Sequence, residues 1–286
     1  MTFRQALTLA TDQLAASPAL RDLAHRDAEL LLLHVLEIDR ATLLAYPTRP
    51  ITPSQFDTYQ AAIARRLNYE PIQYITGQQE FFGLQLKVTP ATLIPRPETE
   101  HLVEAVLDRL PKSGDTPLRI LDIGTGTGAI ALALAAHLPQ ARITAVDLSA
   151  QALDVARQNA AAHNLAGRID FILSDLLTGL PQSDQTAAFD AIVSNPPYIS
   201  EGDRAELHPQ VRDYEPAQAL FAGAHGLDIY RRLIPQAHAA LLPGGLLALE
   251  IGHGQKNELA DLLCNWRNVR FIDDFQQIPR VAVAWK

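Results

Sequence analysis

The segment Ile120-Leu121-Asp122-Ile123-Gly124-Thr125-Gly126-Thr127-Gly128-Ala129 sets three glycines directly after a short apolar run and directly before a helical pattern. A strand that turns into a helix over glycines, followed by a second apolar run at 143–147, reads as a βαβ unit. Such a unit commits the chain to a parallel sheet with helices on its faces. The alternation continues downstream. Apolar runs at 119–124, 143–147, 169–174, 191–194 and 246–251 are mostly separated by helical patterns near 129–138, 150–163, 227–242 and 256–266. The fold class is therefore α/β, a doubly wound Rossmann-like sheet. The last two runs, 269–275 and 281–285, lie too close together for a crossover helix and are expected to form an antiparallel hairpin at the sheet edge.

Residues 1–75 follow a different rule. Apolar positions recur at three and four in Ala28-Leu31-Leu32-Val35-Leu36 and in Tyr59-Ile63-Leu67, with no strand pattern between them. Asp39, Pro47, Pro50 and Pro53 punctuate this region, Thr52 or Ser54 is placed to cap the next helix, and Pro71 marks its end. A small helical bundle is expected. Residues 80–88 then alternate around Gly83 as a hairpin would, and Pro95-Arg96-Pro97-Glu98-Thr99-Glu100 opens a helix with acids in its first turn. The reading divides the chain into a helical domain at 1–75, a hairpin and linker at 76–100, and the α/β domain at 101–286.

Composition narrows the function. Hydrophobic residues make up 48% and charged residues 20% of the 286, enough to build an ordinary core. The single cysteine, Cys264, supports neither an intramolecular disulfide nor a thiolate zinc site and suits a reducing compartment, so a cytoplasmic location is expected. Residues 1–20 lack the apolar stretch of a secretory signal, and the most apolar run, 129–136, is too short to span a bilayer. Neither export nor a membrane partner is expected. The net charge of −8 argues against broad phosphate-backbone binding. The histidines show no ligand spacing, and no metal is expected.

The glycine loop is a cofactor-site candidate, since missing side chains let backbone approach a ligand at a helix N-terminus. Asp147 ends the next strand 19 residues after Gly128, where a carboxylate can accept from both hydroxyls of a ribose. Gly124, Gly126 and Ala129 also satisfy the dinucleotide pattern, so the glycines alone are ambiguous. Two features favour S-adenosylmethionine. Asp122 precedes the loop where it can face a ligand ammonium and would repel a pyrophosphate, and the third glycine falls at Gly128. Asp175, ending the third strand, reads either as a residue near the adenine or as a surface turn acid.

Ala191-Ile192-Val193-Ser194-Asn195-Pro196-Pro197-Tyr198 runs from the fourth strand into the expected crevice. Two prolines stiffen the turn and remove donors, leaving the Asn195 side-chain oxygen and the Pro196 carbonyl as fixed acceptors for the two hydrogens of one NH2 group. An amide or aryl amine nitrogen is a poor nucleophile because its lone pair is delocalised. Acceptors on its hydrogens counter that and aim it. Tyr198 is suited to stack on the planar group that carries the amine.

These motifs resemble those of the HemK/PrmC protein-(glutamine-N5) methyltransferases. The resemblance also rests on Leu93-Ile94-Pro95-Arg96-Pro97-Glu98-Thr99-Glu100 and Glu70-Pro71-Ile72-Gln73-Tyr74-Ile75-Thr76-Gly77. It implies a cytoplasmic, S-adenosylmethionine-dependent enzyme of translation termination that methylates the glutamine of the Gly-Gly-Gln motif in class-one peptide chain release factors. By the same resemblance Gly124, Thr125, Gly126, Thr127, Gly128 and Asp147 bind cofactor with Asp122. Asp175 and Leu176 flank the adenine, Asn195 touches cofactor and acceptor, and Pro196, Pro197 and Tyr198 complete the grip on the glutamine. The helical domain would recognise the protein substrate. The chain departs from the family pattern at Leu176, where some relatives carry an aromatic, and at 276–280, which lacks the usual glycine-containing turn.

Other readings of the same residues stay open. An adenine-N6 nucleic-acid methyltransferase needs the same grip on a planar amine. It also calls for a basic recognition domain, whereas residues 1–75 hold 7 basic and 8 acidic side chains. A ribosomal-protein glutamine methyltransferase would share every motif. A nicotinamide oxidoreductase or a non-catalytic cofactor-binding scaffold would keep the glycine loop but has no use for the Asn-Pro-Pro-Tyr turn.

Overall fold

The computed structural model describes residues 1–111 and 117–286. It separates into two compact units, Met1–Gly77 with His208–Tyr214, and Gln78–Leu207 with Glu215–Lys286. The first is helical, with α1 (Phe3–Ala15), α2 (Ala24–Leu36), α3 (Arg40–Ala45), α4 (Pro53–Leu67) and α5 (Ile72–Thr76). Two capping boxes, Thr2 with Gln5 and Thr52 with Gln55, start α1 and α4, and Asp39 caps α3 through the Thr42 amide at 2.7 Å. The apolar stripes of α1, α2 and α4 meet in one core around Leu14, Leu31, Leu32, Tyr59 and Ile63. Two buried polar groups are paired within it. The Tyr59 hydroxyl donates to the Ala28 carbonyl at 2.8 Å, and Arg66 Nε donates to Asp27 Oδ2 at 2.7 Å.

The second unit begins with a hairpin, β1 (Gln78–Phe81) and β2 (Leu84–Lys87). Its two-residue turn, Phe82-Gly83, has positive φ at both positions, +51° and +77°, as a tight hairpin demands. Phenylalanine resists that conformation, and two carboxylates hold it there. Glu100 Oε1 accepts from the Phe82 amide at 2.9 Å and Glu80 Oε1 from the Gly83 amide at 2.6 Å. Phe81 and Leu86 bury into the same core as the helix α6 (Glu100–Leu107). The hairpin at 78–87 therefore packs within the α/β unit, which begins at Gln78.

Next come β3 (Arg119–Ile123), α7 (Ala129–His137), β4 (Arg142–Asp147), α8 (Ala150–Ala162), β5 (Ile169–Leu173) and β6 (Phe189–Ser194). The chain then contributes α9 (Pro209–Arg212) to the helical unit, where the Tyr214 hydroxyl donates to the Asn68 carbonyl at 2.7 Å. Nothing in the residue pattern announced this return. It ends with α10 (Asp228–Ala240), β7 (Leu241–Glu250), α11 (Lys256–Leu262), β8 (Arg267–Asp273) and β9 (Pro279–Trp285).

The seven strands of the main sheet lie in the order β5-β4-β3-β6-β7-β9-β8, parallel except for β9, which runs antiparallel to both its neighbours. The terminal hairpin is thus present, with β9 inserted beside β7 and only β8 at the edge. Its turn replaces the expected glycine with Gln277 at φ +63°, while Asp274 accepts from the Gln276 and Ile278 amides and pairs with Arg280 at 3.0 Å. Alternate strand residues face opposite layers. Ile120, Val193 and Ala248 pack with α6 and α7, whereas Leu121, Ile192 and Leu249 pack with α10. Among the described residues no helix is long and apolar enough to cross a membrane.

Gly128 starts α7 at φ +83°, and a Cβ there would sit 3.2 Å from Leu132 Cδ1 and 3.3 Å from Ala156 Cβ. Its glycine is required by helix packing as well as by backbone conformation. Gly128→Ala is expected to lower stability by about 1–3 kcal/mol in urea denaturation. Gly126→Ala, whose Cβ would meet nothing within 4 Å, should lose only the smaller cost of a positive φ. Equal losses in the two variants would remove the packing argument.

Candidate active site

The chain leaves β3 toward β4 on one side and later reaches β6 on the other, so the strand order reverses between β3 and β6. Crevices in doubly wound sheets open beyond the strands' carboxyl ends at such a reversal. Ile123 pairs with Ser194 in register, and Ser194 Oγ donates to the Ile123 carbonyl at 2.7 Å. The next residues, Gly124 and Asn195, therefore start their loops side by side. One cleft collects Gly124, Gly126, Asp147, Asp175, Leu176, Asn195, Pro196 and Pro197 on its wall.

Gly124 and Gly126 both have positive φ, +72° and +55°, and a Cβ at either would stand in open space. The loop is tied across to the next strand. Asp147 Oδ2 accepts from the Gly126 amide and Oδ1 from the Ser149 amide, each at 2.8 Å. Ser149 itself caps α8, through the Ala152 amide, so Asp147 is not consumed as a helix cap. Burial pushes the Asp147 carboxyl above its ordinary range, opposed by the amides of Ser149, Gly126 and Leu148. Three amides leave the Asp147 carboxylate with acceptor capacity to spare.

Asp122 stands elsewhere than the sequence suggested. It is fully buried behind the loop and is absent from the cleft wall. Thr125 Oγ1 donates to its Oδ2 at 2.7 Å, and burial pushes the carboxyl up to about 7 against the opposing hydrogen bonds from Thr125 and the Ala131 amide. Thr125, Thr127 and Gly128 are also off the wall. Thr127 offers its carbonyl to Asn159 Nδ2 at 2.9 Å, and Gly128 serves the packing described above. The motif thus contains two cleft-facing glycines and a supporting scaffold. Asp175 lines the cleft and also pairs with Arg232 at 2.6 Å on the surface. Leu176 lines the cleft at φ +53°, its carbonyl held by Ser174 Oγ at 2.6 Å.

The Asn-Pro-Pro-Tyr turn is organised by residues far away in sequence. Asn195 Nδ2 donates to Thr99 Oγ1 at 3.1 Å, and Thr99 Oγ1 donates to Glu250 Oε2 at 2.6 Å. This orients the carboxamide and leaves Asn195 Oδ1 without a donor among the described residues. The Tyr198 hydroxyl reaches Glu250 Oε1 at 3.3 Å, and Gln255 Nε2 holds the Tyr198 carbonyl at 3.0 Å. Tyr198 does not line the cleft. Its partly buried ring packs on the α10 side of the sheet. Glu250 is 2% exposed, and burial pushes it up to about 7 against the opposing hydrogen bonds from Thr99 and Tyr198. Sequence reasoning passed over Glu250 and Thr99 as site residues. The available signal was an acid closing the apolar strand run Leu246-Leu247-Ala248-Leu249-Glu250, since carboxylates are rarely fully buried without partners.

Comparison with known proteins gives the family. The PrmC N-terminal domain family matches residues 5–77, and the methyltransferase small domain family matches 99–211. Release factor glutamine methyltransferases from Koribacter versatilis and Moorella thermoacetica are each 44% identical over 290 residues, covering 100% of this chain and 99% of theirs. A methyltransferase structure from Pyrococcus furiosus, 20% identical, covers 79% of this chain and 97% of its own with a TM-score of 0.52, a likeness of fold. Such identity along the whole of both units makes the chain a methyltransferase and a member of the release factor glutamine methyltransferase family.

Proposed function

We propose that this enzyme transfers a methyl group from S-adenosylmethionine to the side-chain amide nitrogen of the glutamine in the Gly-Gly-Gln motif of a peptide chain release factor, in the cytoplasm. The observation that carries the reading is the Asn195 carboxamide. Its Nδ2 is tied to Thr99, which leaves Oδ1 without a donor among the described residues, and Asn195 and Pro196 both line the cleft. An amide oxygen and a proline carbonyl on consecutive residues suit the two hydrogens of a primary amide and offer nothing to a carboxylate. The names of the full-length relatives supply the acceptor protein.

The cleft fits the proposed cofactor. Its wall carries Asp147 and, paired with Arg232, Asp175, and among the described residues it holds no Arg, Lys or His, so the Asp147 carboxylate favours a cationic ligand over a pyrophosphate. Asp147 has lone pairs available for a ribose, the exposed backbone at Gly124 and Gly126 allows close approach, and Leu148, Leu176 and Ile229 give an apolar surface for a base. When bound, S-adenosylmethionine supplies an electrophilic methyl group carried on a sulfonium. Asn195 and Pro196 hold the acceptor nitrogen by its hydrogens and restrict its rotation, and Pro197 keeps the turn rigid without adding a donor.

All the residues on the cleft wall belong to the α/β unit. The helical unit has its own core and a near-balanced charge, and we assign it the recognition of the protein substrate. On adding release factor, amide exchange in 1–77 should slow. Unchanged exchange there would place recognition elsewhere.

Incubation with a release factor and S-adenosylmethionine should add one methyl to the Gly-Gly-Gln glutamine by peptide mass spectrometry, and the factor with that glutamine changed to glutamate should stay unlabelled. Methyl appearing in DNA or ribosomal RNA, with the factor unmodified, would favour an adenine acceptor. Asp147→Ala should weaken S-adenosylhomocysteine binding by about 10-fold or more in calorimetry, the loss of a charge-assisted hydrogen bond. Asn195→Ala should keep that affinity and slow single-turnover transfer by about 10²–10³-fold. A rate near that of the unaltered enzyme would refute the amide grip.

A further inference from the structure

We infer that Glu250, acting through Thr99, is a positioning residue for methyl transfer, setting both the orientation and the acceptor strength of Asn195. The inference rests on the amide-acceptor reading above and concerns groups that touch neither cofactor nor acceptor.

The relay has a fixed sense. Asn195 can donate to Thr99 only through its NH2, because the Thr99 hydroxyl hydrogen is engaged with Glu250 at 2.6 Å. With its hydrogen drawn toward a carboxylate, the Thr99 oxygen becomes a better acceptor, and donation into it pulls charge onto Asn195 Oδ1. That oxygen is the one that meets the substrate amide. The second Glu250 oxygen accepts from Tyr198, which closes the Asn-Pro-Pro-Tyr turn, so one carboxylate ties both ends of the turn. The turn has little local means of doing this, since Pro196 and Pro197 carry no amide hydrogen.

The surroundings fix the group in place. Glu250 is the last residue of β7, paired in register with Val281 of β9, and the Tyr230 hydroxyl of α10 binds its backbone carbonyl at 2.7 Å. Its position is therefore set by the sheet and not by the ligands. Both of its hydroxyl donors, Thr99 and Tyr198, lead to the same turn.

The test uses the full chain with a release factor as acceptor and single-turnover transfer as the readout. Labelling by the unaltered enzyme tests the amide-acceptor reading, and the variants test the relay. Thr99→Val keeps the side-chain shape and removes the hydroxyl. It should slow transfer about 10-fold or more while S-adenosylhomocysteine affinity stays within about 3-fold, and Thr99→Ser should restore most of the rate. Glu250→Gln, which keeps volume and loses the charge, should follow Thr99→Val. In an Asn195→Ala background, Thr99→Val should slow transfer no further. Transfer by Thr99→Val at the unaltered rate, equal loss in Thr99→Ser and Thr99→Val, or fully additive losses with Asn195→Ala would each overturn the relay. If Glu250→Gln fails to fold, the two Thr99 variants and the double variant still decide it.

Discussion

The parallel pairing of β3 with β6 is the constraint on which the site depends. The two strands are not consecutive in sequence, since α7, β4, α8 and β5 intervene, yet the register sets Ile123 beside Ser194. A shift of one residue would turn every side chain of the strand to the opposite layer. It would also separate the glycine loop from the Asn-Pro-Pro-Tyr turn. The buried hydrogen bond from Ser194 to the Ile123 carbonyl sits at the last paired position, where the two loops diverge. A serine there satisfies a carbonyl that the parallel ladder no longer reaches.

Around that pairing the fold separates two tasks. Gly124 and Gly126 stand open to the cleft, while Gly128, Thr125, Thr127 and Asp122 hold the loop from behind. Asn159 shows how far the support extends. Its side chain accepts from the Lys87 amide at 2.8 Å, donates back to the Lys87 carbonyl at 3.0 Å and also donates to Thr127. One buried amide thus joins the hairpin, α8 and the glycine loop, which explains why residues before β3 belong to the α/β unit.

Much of this was legible in the residues. The strand and helix alternation after 118 gives the sheet, because a glycine-rich strand-to-helix turn followed by a second strand has one handed solution. The terminal hairpin follows from the short interval between 275 and 281. The departures share a physical cause, since they are tertiary relations that leave no local mark. Asp122 read as ligand-facing because spacing places it beside the loop, but spacing does not say which side of a strand is buried. Tyr198 read as a stacking residue, and its hydroxyl partner lies 52 positions away. The segment His208–Tyr214 joins the helical unit through contacts at Tyr69 and Asn68 that no periodicity encodes.

The same limit accounts for Glu250 and Thr99. A turn built from Asn-Pro-Pro is stiff along its backbone but cannot supply hydrogens to orient its own asparagine, so the orientation must come from a distant element. Thr99 is 96 residues from Asn195 and 151 from Glu250. Burying a carboxylate to do this carries a desolvation penalty, visible in its shift to about 7. Two hydroxyl donors offset only part of that penalty. A neutral acceptor at the end of β7 would be easier to bury, but it would draw less strongly on Thr99 and so polarise Asn195 less. The fold retains the costlier group where its charge can reach the acceptor oxygen through two hydrogen bonds, and where nothing nearer in the sequence could take its place.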